Sequence, residues 1–397
     1  MFNHTMKVTI CNGGGQADYL YGLVSGLHET SISHIDVLDI DRSKEIFDNF
    51  QKVKFHSVYR YQNKGSSFIK KGSNTIRYYC LQIKHFLGAK PRVVHFQWLN
   101  RFYIADRIII PLIARLKGHK VVLTVHNVNA GKRDNNDTWY NRVTLKVLYG
   151  LCNHLIVHTP GSRDELIRDF HIKKSKISVV KHGMNNKVTV TGISEIKARE
   201  RLNIATDRKV ILFFGNIDHY KGLDILIESL PLLSDEIKDK ITVIIAGNIK
   251  SQEYNKKITG LIFKSPLKDR IIKFTRYISD EEIEPLFEAS DCIALPYRDI
   301  YQSGVLFMAY NFGIPPVVTR VGNFGNDIQH GKTGLISDEI SAGSLADSLE
   351  YFFSSPLYSN KDETRKYIKN WAQKNYSWNS IGQVTLGIYE KLLQNEE

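Results

Sequence analysis

Two stretches of this chain carry residues at spacings suited to holding an anion. In the first, Asn12-Gly13-Gly14-Gly15-Gln16-Ala17-Asp18 follows the apolar run Lys7-Val8-Thr9-Ile10-Cys11 and precedes a helical pattern from about Tyr19 to Leu27. Glycines between a strand and a helix let a ligand approach the backbone, where N–H groups and the helix dipole favour negative charge. In the second, Cys292-Ile293-Ala294-Leu295 stops at Pro296, and Tyr297 to Ser303 is polar. Gly304 then opens an apolar segment that Gly313 ends, before the strand Val317-Val318-Thr319. A loop from a strand to a helix N-terminus in an open parallel sheet is a seat for anions. The glycine loop is neither a G-x-G-x-x-G fingerprint nor a Walker A loop. A tight βα turn with no ligand uses the same residues, and the second stretch is also one more βαβ unit, so the surrounding elements decide.

Those elements alternate. Strands are predicted at Ile35–Ile40, Arg92–Phe96, Lys120–Val125, His154–His158 and Ile177–Val180, with helices at Ile108–Leu116 and Thr159–Phe170. His126-Asn127 ends one strand, and Asn129 to Thr138 reads as a long irregular piece. The pattern breaks at Asn185-Asn186-Lys187 and restarts with Lys209–Phe214, then strands at Thr242–Ala246 and Ile271–Phe274 and a helix at Asp280–Ala289. A helical tail runs from about Ser380 to Leu393. Strands alternating with helices predict doubly wound parallel sheets. The fold class is α/β, with two Rossmann-like domains facing across a cleft at the carboxyl ends of their strands. The expected domains are 1–186, 187–375 and a terminal helix, 376–397, packing back on the first.

The 397 residues exceed one ordinary core and fit two domains. An apolar content of 42% and a charged content of 24% are those of a globular chain. No apolar run approaches the ~20 residues of a membrane span, and Met1 to Met6 lacks the features of a signal peptide. Cys11, Cys80, Cys152 and Cys292 are scattered without metal-ligand spacing, so neither a disulfide framework nor a metal is expected, and a reducing cytoplasm is the default. The net charge is +13, and no Asp or Glu occurs from Asn49 to Ala105, a segment holding Lys52, Lys54, Arg60, Lys64, Lys70, Lys71, Arg77, Lys84, Lys90, Arg92 and Arg101. Such a field meets acidic partners: nucleic acid, anionic lipid or phosphorylated substrates. A solvated basic face is the plainer reading. Within the segment Ile76, Tyr79, Cys80, Ile83, Phe86 and Leu87 keep helical spacing, as a core-facing stripe or as a face lying on an anionic membrane. No helix-turn-helix, zinc-finger or RNA-recognition signature accompanies the charge, so nucleic acid is not an expected partner.

The ordered motifs of the second half resemble those of GT-B glycosyltransferases, especially family 4. Gly215 to Leu230 (G-N-I-D-H-Y-K-G-L-D-I-L-I-E-S-L) is similar to the family's G-R-L-x-x-x-K-G-x-D-x-L-I-x-A. Val179 to Asn185 resembles the interdomain V-I-x-N-G-V-D, and Asp280 to Pro296 the helix and strand before the donor loop. Val321 to Ile336 resembles V-G-G-x-P-E-x-V-x-D-G-x-T-G-L-L. The first half matches by its glycine loop, His126 and strand pattern.

This resemblance implies a hexosyltransferase that moves a sugar from a nucleotide sugar, UDP-linked rather than GDP-linked, to a hydroxyl of a glycan or lipid-diphosphate-linked acceptor in surface polysaccharide assembly. No cofactor or metal is implied; fixed positive groups and N–H donors stabilise the leaving diphosphate. Lys221 stands where the family's diphosphate lysine stands, and Asn216 occupies the arginine position. Gly14, Gly15, Gln302, Ser303 and Gly304 are the further implied donor contacts. The family's Glu-x7-Glu is absent, with Met308 at the second position and Ile300 near the first. His126 falls where the family's histidine approaches the donor sugar. For an inverting reaction Asp18, beside the glycine loop, leads as acceptor-activating base, with His126, Asp134 and Asp137 as rivals, whereas a retaining reaction needs no base there. The expected location is cytoplasmic, peripheral at the inner membrane face through the basic first domain. Loss of the two carboxylates and the arginine leaves a second reading, a non-catalytic glycan- or partner-binding subunit of a synthase complex.

Overall fold

A computed structural model describes residues 6–59, 68–99, 102–133, 137–184, 188 and 190–394. Asp134, Arg60, Lys64, Arg101 and the break at 185–187 lie outside the described residues. The chain forms two compact units, Met1–Gly183 with Tyr376–Glu397, and Met184–Asn375. The division follows Gly183, slightly before the boundary expected at residue 186.

The first unit carries a seven-stranded sheet of β1 (Lys7–Asn12), β2 (His34–Ile40), β3 (Val53–Tyr59), β4 (Val93–Trp98), β5 (Lys120–Val125), β6 (His154–Val157) and β7 (Ile177–Val179). Its order is β3-β2-β1-β4-β5-β6-β7, every pair parallel. The order reverses between β1 and β4, where such sheets open a crevice at their carboxyl ends. Helices α1 (Ala17–His28), α2 (Phe68–Gly88), α3 (Ile110–Leu116), α4 (Trp139–Leu151) and α5 (Pro160–Phe170) connect the strands. A π-helical turn, Ala105–Ile109, precedes α3 where the periodicity predicts ordinary helix.

Two features of this unit depart from the sequence pattern. Edge strand β3 lies in the acid-free segment, where its charged alternation Val53-Lys54-Phe55-His56 hides a strand. In α2 the buried face shares only Phe86 with the apolar stripe. Ile76 and Leu87 are exposed, while Asn74, Tyr78, Gln82 and Phe86 are buried. Polar Gln82 is accommodated because its amide donates to Tyr78 Oη at 3.0 Å.

The terminal helix, Trp378–Gln394, packs against α1. Glycines allow this close approach: a Cβ at Gly26 would sit 2.0 Å from the Trp378 carbonyl, and one at Gly22 2.0 Å from its indole. Trp378, Ile381 and Tyr389 thereby join Val8, Ile10, Leu20 and Ile35 in one core.

The second unit carries β8 (Lys209–Phe214), β9 (Ile241–Ala246), β10 (Ile271–Phe274), β11 (Cys292–Leu295), β12 (Pro316–Thr319) and β13 (Leu335–Ser337) in the order β10-β9-β8-β11-β12-β13, all parallel. Its helices include α6 (Leu223–Ser229), α7 (Asp280–Glu288) and α8 (Gly304–Phe312). Strands buried on both faces read as continuous apolar runs, as in Val210-Ile211-Leu212-Phe213. Here the reversal falls between β8 and β11.

Candidate functional site

In the first unit, the glycine loop leaves β1 beside the end of β4, and Gly13 N donates to the Trp98 carbonyl at 2.8 Å. Gly14 has φ +81°, a left-handed conformation that favours glycine. A Cβ at Gly15 would sit 2.2 Å from the Trp98 ring, so only glycine fits there. Asn12 Nδ2 donates to Asp39 Oδ2 at 3.1 Å, tying the ends of β1 and β2 beneath the loop. Burial pushes the Asp39 carboxyl up to about 6, opposed by donors from Asn12, Ile40, Ser43 and Gly14. Asp18 lies in the first turn of α1, half-buried, where the helix N-terminus favours a carboxylate.

The adjacent strands β5, β6 and β7 each lead into a histidine: His126, His158 and His182. Because the strands are parallel neighbours, these side chains cluster. His158 Nδ1 meets the Val180 carbonyl at 2.9 Å, an acceptor only, so that nitrogen carries the proton. His158 Nε2 therefore accepts from His126 Nδ1 at 3.3 Å, and the lone pair of His126 falls on Nε2. Nε2 is buried and makes no hydrogen bond. Burial first, then His158, His182 and His95, hold the His126 imidazole well below its usual range, against the Gln97 carbonyl. Burial likewise brings His158 down to about 3 and His182 to about 4. Tyr19 packs edge-on against His126 (4.6 Å between centroids), and Trp98 lies 4.3 Å from it. Among the described residues no group of three His, Cys, Asp or Glu side chains is arranged to hold a metal ion.

Of the rival bases, Asp137 is already engaged. Its oxygens accept from Asn141 Nδ2 at 3.1 Å and Arg142 Nε at 2.7 Å.

In the second unit, Gly215 follows β8 with φ +114°, and Lys221 is buried at 7% exposure. Lys221 Nζ donates to Tyr297 Oη at 2.6 Å and lies 4.0 Å above that ring. Tyr297 Oη is 3.3 Å from Ser303 Oγ, and Ser303 is the N-cap of α8. The lysine and the two hydroxyls thus meet at the N-terminus of α8, whose first N–H groups lie beside them. Both amide atoms of Gln302 are buried without a hydrogen-bond partner. Asn216 is exposed beside Gly215.

Arg298, which follows Tyr297 in this loop, is spent elsewhere. Arg298 clamps buried Asp224 with two bonds of 2.7 and 2.9 Å, and Tyr254 and Lys257 bond the same carboxylate. Met308 is buried within α8, and the Ile300 carbonyl packs against Gly322, so neither supplies a polar contact.

Tyr297, Trp98, Asp39 and the His158–His182 pair belong to these sites without standing out as motifs. Their common signal is position, since each stands at or just past the carboxyl end of a strand.

Known proteins share these features. The family model described as "Glycosyl transferases group 1" matches residues 194–375, and "Glycosyltransferase Family 4" matches 13–187. An uncharacterized glycosyltransferase of Methanocaldococcus jannaschii is 24% identical over 61% of this chain and 60% of its own length. A D-inositol 3-phosphate glycosyltransferase of Corynebacterium glutamicum is 25% identical over 70% of this chain and 68% of its own. The match to the first curated relatives spans about 60% of their length. In fold, the chain is similar to Thermosynechococcus elongatus sucrose-phosphate synthase (TM-score 0.76, 16% identity, 98% of this chain and 100% of that one). It is also similar to Anabaena HepE in complex with UDP and glucose (TM-score 0.74, 16% identity, 97% and 100%). With both family models matched in order along two parallel-sheet units, the chain belongs to the GT-B glycosyltransferases of the family 4 type.

Proposed function

We propose that the protein transfers a hexose from a nucleotide sugar, UDP-linked in preference to GDP-linked, to a hydroxyl of a glycan or lipid-diphosphate-linked acceptor in surface polysaccharide assembly. The observation that carries this reading is the meeting of Lys221, Tyr297 and Ser303 at the N-terminus of α8. A diphosphate gains negative charge as the sugar departs. A buried ammonium and aligned N–H groups stabilise that gain because they are fixed before the bond breaks. Asn216 contributes a neutral donor where the family has an arginine, and Gln302 adds a further neutral donor from the loop. With Lys221 meeting the diphosphate, no metal is required.

In the first unit, His126 at the end of β5 is the residue that approaches the donor sugar. Asp18 takes the acceptor proton as the acceptor oxygen bonds the sugar's anomeric carbon and the bond to phosphate oxygen breaks. The open glycine loop admits the sugar. Exposed Phe102, Tyr103, Leu116 and Trp139 in the first unit, with Arg107 over Tyr103 at 3.8 Å, support peripheral contact with an anionic membrane that presents the acceptor. No helix among the described residues is long and apolar enough to cross one.

The test is transfer of labelled hexose from UDP-sugars and GDP-sugars to lipid-linked acceptors, with and without EDTA. Lys221→Ala abolishes it, Asp18→Asn lowers kcat, and EDTA leaves it intact. The buried Met308 favours a second reading, a non-catalytic binding subunit. That reading requires neither transfer nor donor hydrolysis with any nucleotide sugar.

A further inference from the structure

The acid-free basic segment is not absorbed by the glycosyl-transfer reading, and the fold gathers part of it in one place. On β1, β2 and β3 one face is apolar and packs on α1 and the terminal helix. The registers Lys7↔His34, Thr9↔Asp36 and Asp36↔Lys54 put polar residues side by side on the other face. A parallel sheet ordinarily buries apolar residues on both faces. Here α2 covers the polar face incompletely, and a cavity of about 640 Å³ remains between them. Its lining includes five cationic side chains, Lys7, Lys54, Arg77, Lys84 and Arg92, against the single carboxylate of Asp36.

That carboxylate is fully used. Asp36 Oδ2 accepts from Arg92 at 2.6 Å, and Oδ1 from His56 at 2.6 Å and His34 at 3.3 Å. Among the described residues no carboxylate pairs with Lys7, Lys54 or Lys84. Arg77 Nη2 reaches the Ser57 carbonyl at 3.4 Å, while its Nη1 is buried without an acceptor. A concave site with unpaired cations and an orphaned guanidinium N–H lacks an acceptor-rich anion. Lys7, His34 and Arg92 stand at the amino ends of their strands, with Lys7 roughly 20 Å along β1 from the glycine loop, and the lining runs from there along the face as far as Leu38, Ser57 and Val58.

We propose that this cavity is a binding site for a compact phosphate-bearing ligand, separate from the donor and acceptor positions. Arg77 Nη1 meets a phosphate oxygen, and Lys54 and Lys84 flank the opening. The same chemistry is offered by a soluble phosphorylated metabolite and by an anionic lipid headgroup.

The experiment is calorimetric titration of the full chain with inorganic pyrophosphate and glycerol 3-phosphate while the donor site is saturated with UDP. Flotation with phosphatidylglycerol and phosphatidylcholine vesicles runs in parallel. Binding in solution that survives UDP and weakens at least tenfold in Lys54→Gln/Lys84→Gln and in Arg77→Gln supports a soluble ligand. Flotation with phosphatidylglycerol alone, lost in the same variants, supports a headgroup. The two lysines are exposed, so their variant keeps the fold if Arg77→Gln does not. Absence of both signals, or binding that UDP displaces or that both variants retain, overturns the proposal.

Discussion

Lys221 Nζ donates to Tyr297 Oη at 2.6 Å, joining the loops that follow β8 and β11 at the strand-order reversal of the second sheet. The bond places the ammonium, and the Tyr297 ring beneath it at 4.0 Å adds a cation–π contact. Tyr297→Phe keeps the ring but removes the positioning hydroxyl, at a net cost of ~1 kcal/mol. It is expected to lower kcat/KM by ~5-fold with the melting temperature little changed. Lys221→Ala is expected to lower it by at least ~100-fold. Equal losses in the two variants would mean that the tyrosine acts on the donor directly.

Gln302 makes a sharper case. Its side-chain oxygen and nitrogen are buried without partners, and the desolvation of such a group ordinarily costs ~1–3 kcal/mol. A group that bonds nothing in the free protein loses nothing there when removed. Gln302→Ala is therefore expected to leave thermal stability equal or higher while raising KM for the nucleotide sugar about tenfold. A lower melting temperature with unchanged KM would assign Gln302 to the fold instead.

The close contact of α1 with the terminal helix gives a structural prediction. A Cβ at Gly26 would lie 2.0 Å from the Trp378 carbonyl and 3.4 Å from Gly382 N, both backbone atoms that cannot rotate away. Gly26→Ala should destabilise by ~1–3 kcal/mol through overpacking. Gly387 sits in the same terminal helix with nothing within 4 Å of its Cβ position. Gly387→Ala should be neutral or stabilise by up to ~1 kcal/mol. Thermal unfolding of the two variants separates packing from helix propensity.

The second unit is legible from sequence because its site is built locally. Gly215, Lys221, Ser303 and Gly304 each occupy a short strand–loop–helix run whose punctuation is glycine and proline. The first unit is less so, because its site is assembled across the sheet. His126, His158 and His182 are far apart in the chain and meet only through the β5-β6-β7 adjacency. Trp378 reaches Tyr19 from the far end of the sequence, with ring centroids 5.0 Å apart. The stripe in α2 misleads for a related reason. Periodicity identifies the helix, but the polar face of β1–β3 selects Asn74, Tyr78 and Gln82 for burial over Ile76 and Leu87.

The buried histidines fix the sign of the pH dependence. His158 lies at about 3 and His182 at about 4 in the folded chain, and His126 is also depressed, against ~6.5 when unfolded. Between those values the unfolded chain binds protons that the folded chain refuses, so stability rises with pH. The contribution is fully present above pH ~6.5 and is lost as pH falls toward about 4. Each such histidine adds a slope of ~1.4 kcal/mol per pH unit. Asp39 acts in the opposite sense, because its carboxyl is raised to about 6 and binds a proton in the folded chain first. Its effect offsets one histidine between pH ~4 and about 6, and three outweigh it. Acidification from pH 7 to 5 should therefore destabilise the first unit, as read by denaturant titration at each pH. His182→Gln, whose amide can still donate to the Gly183 carbonyl that His182 Nδ1 contacts at 2.7 Å, should reduce the slope by about one proton. A transition unmoved by pH over that range would mean that these imidazoles are hydrated or paired in solution.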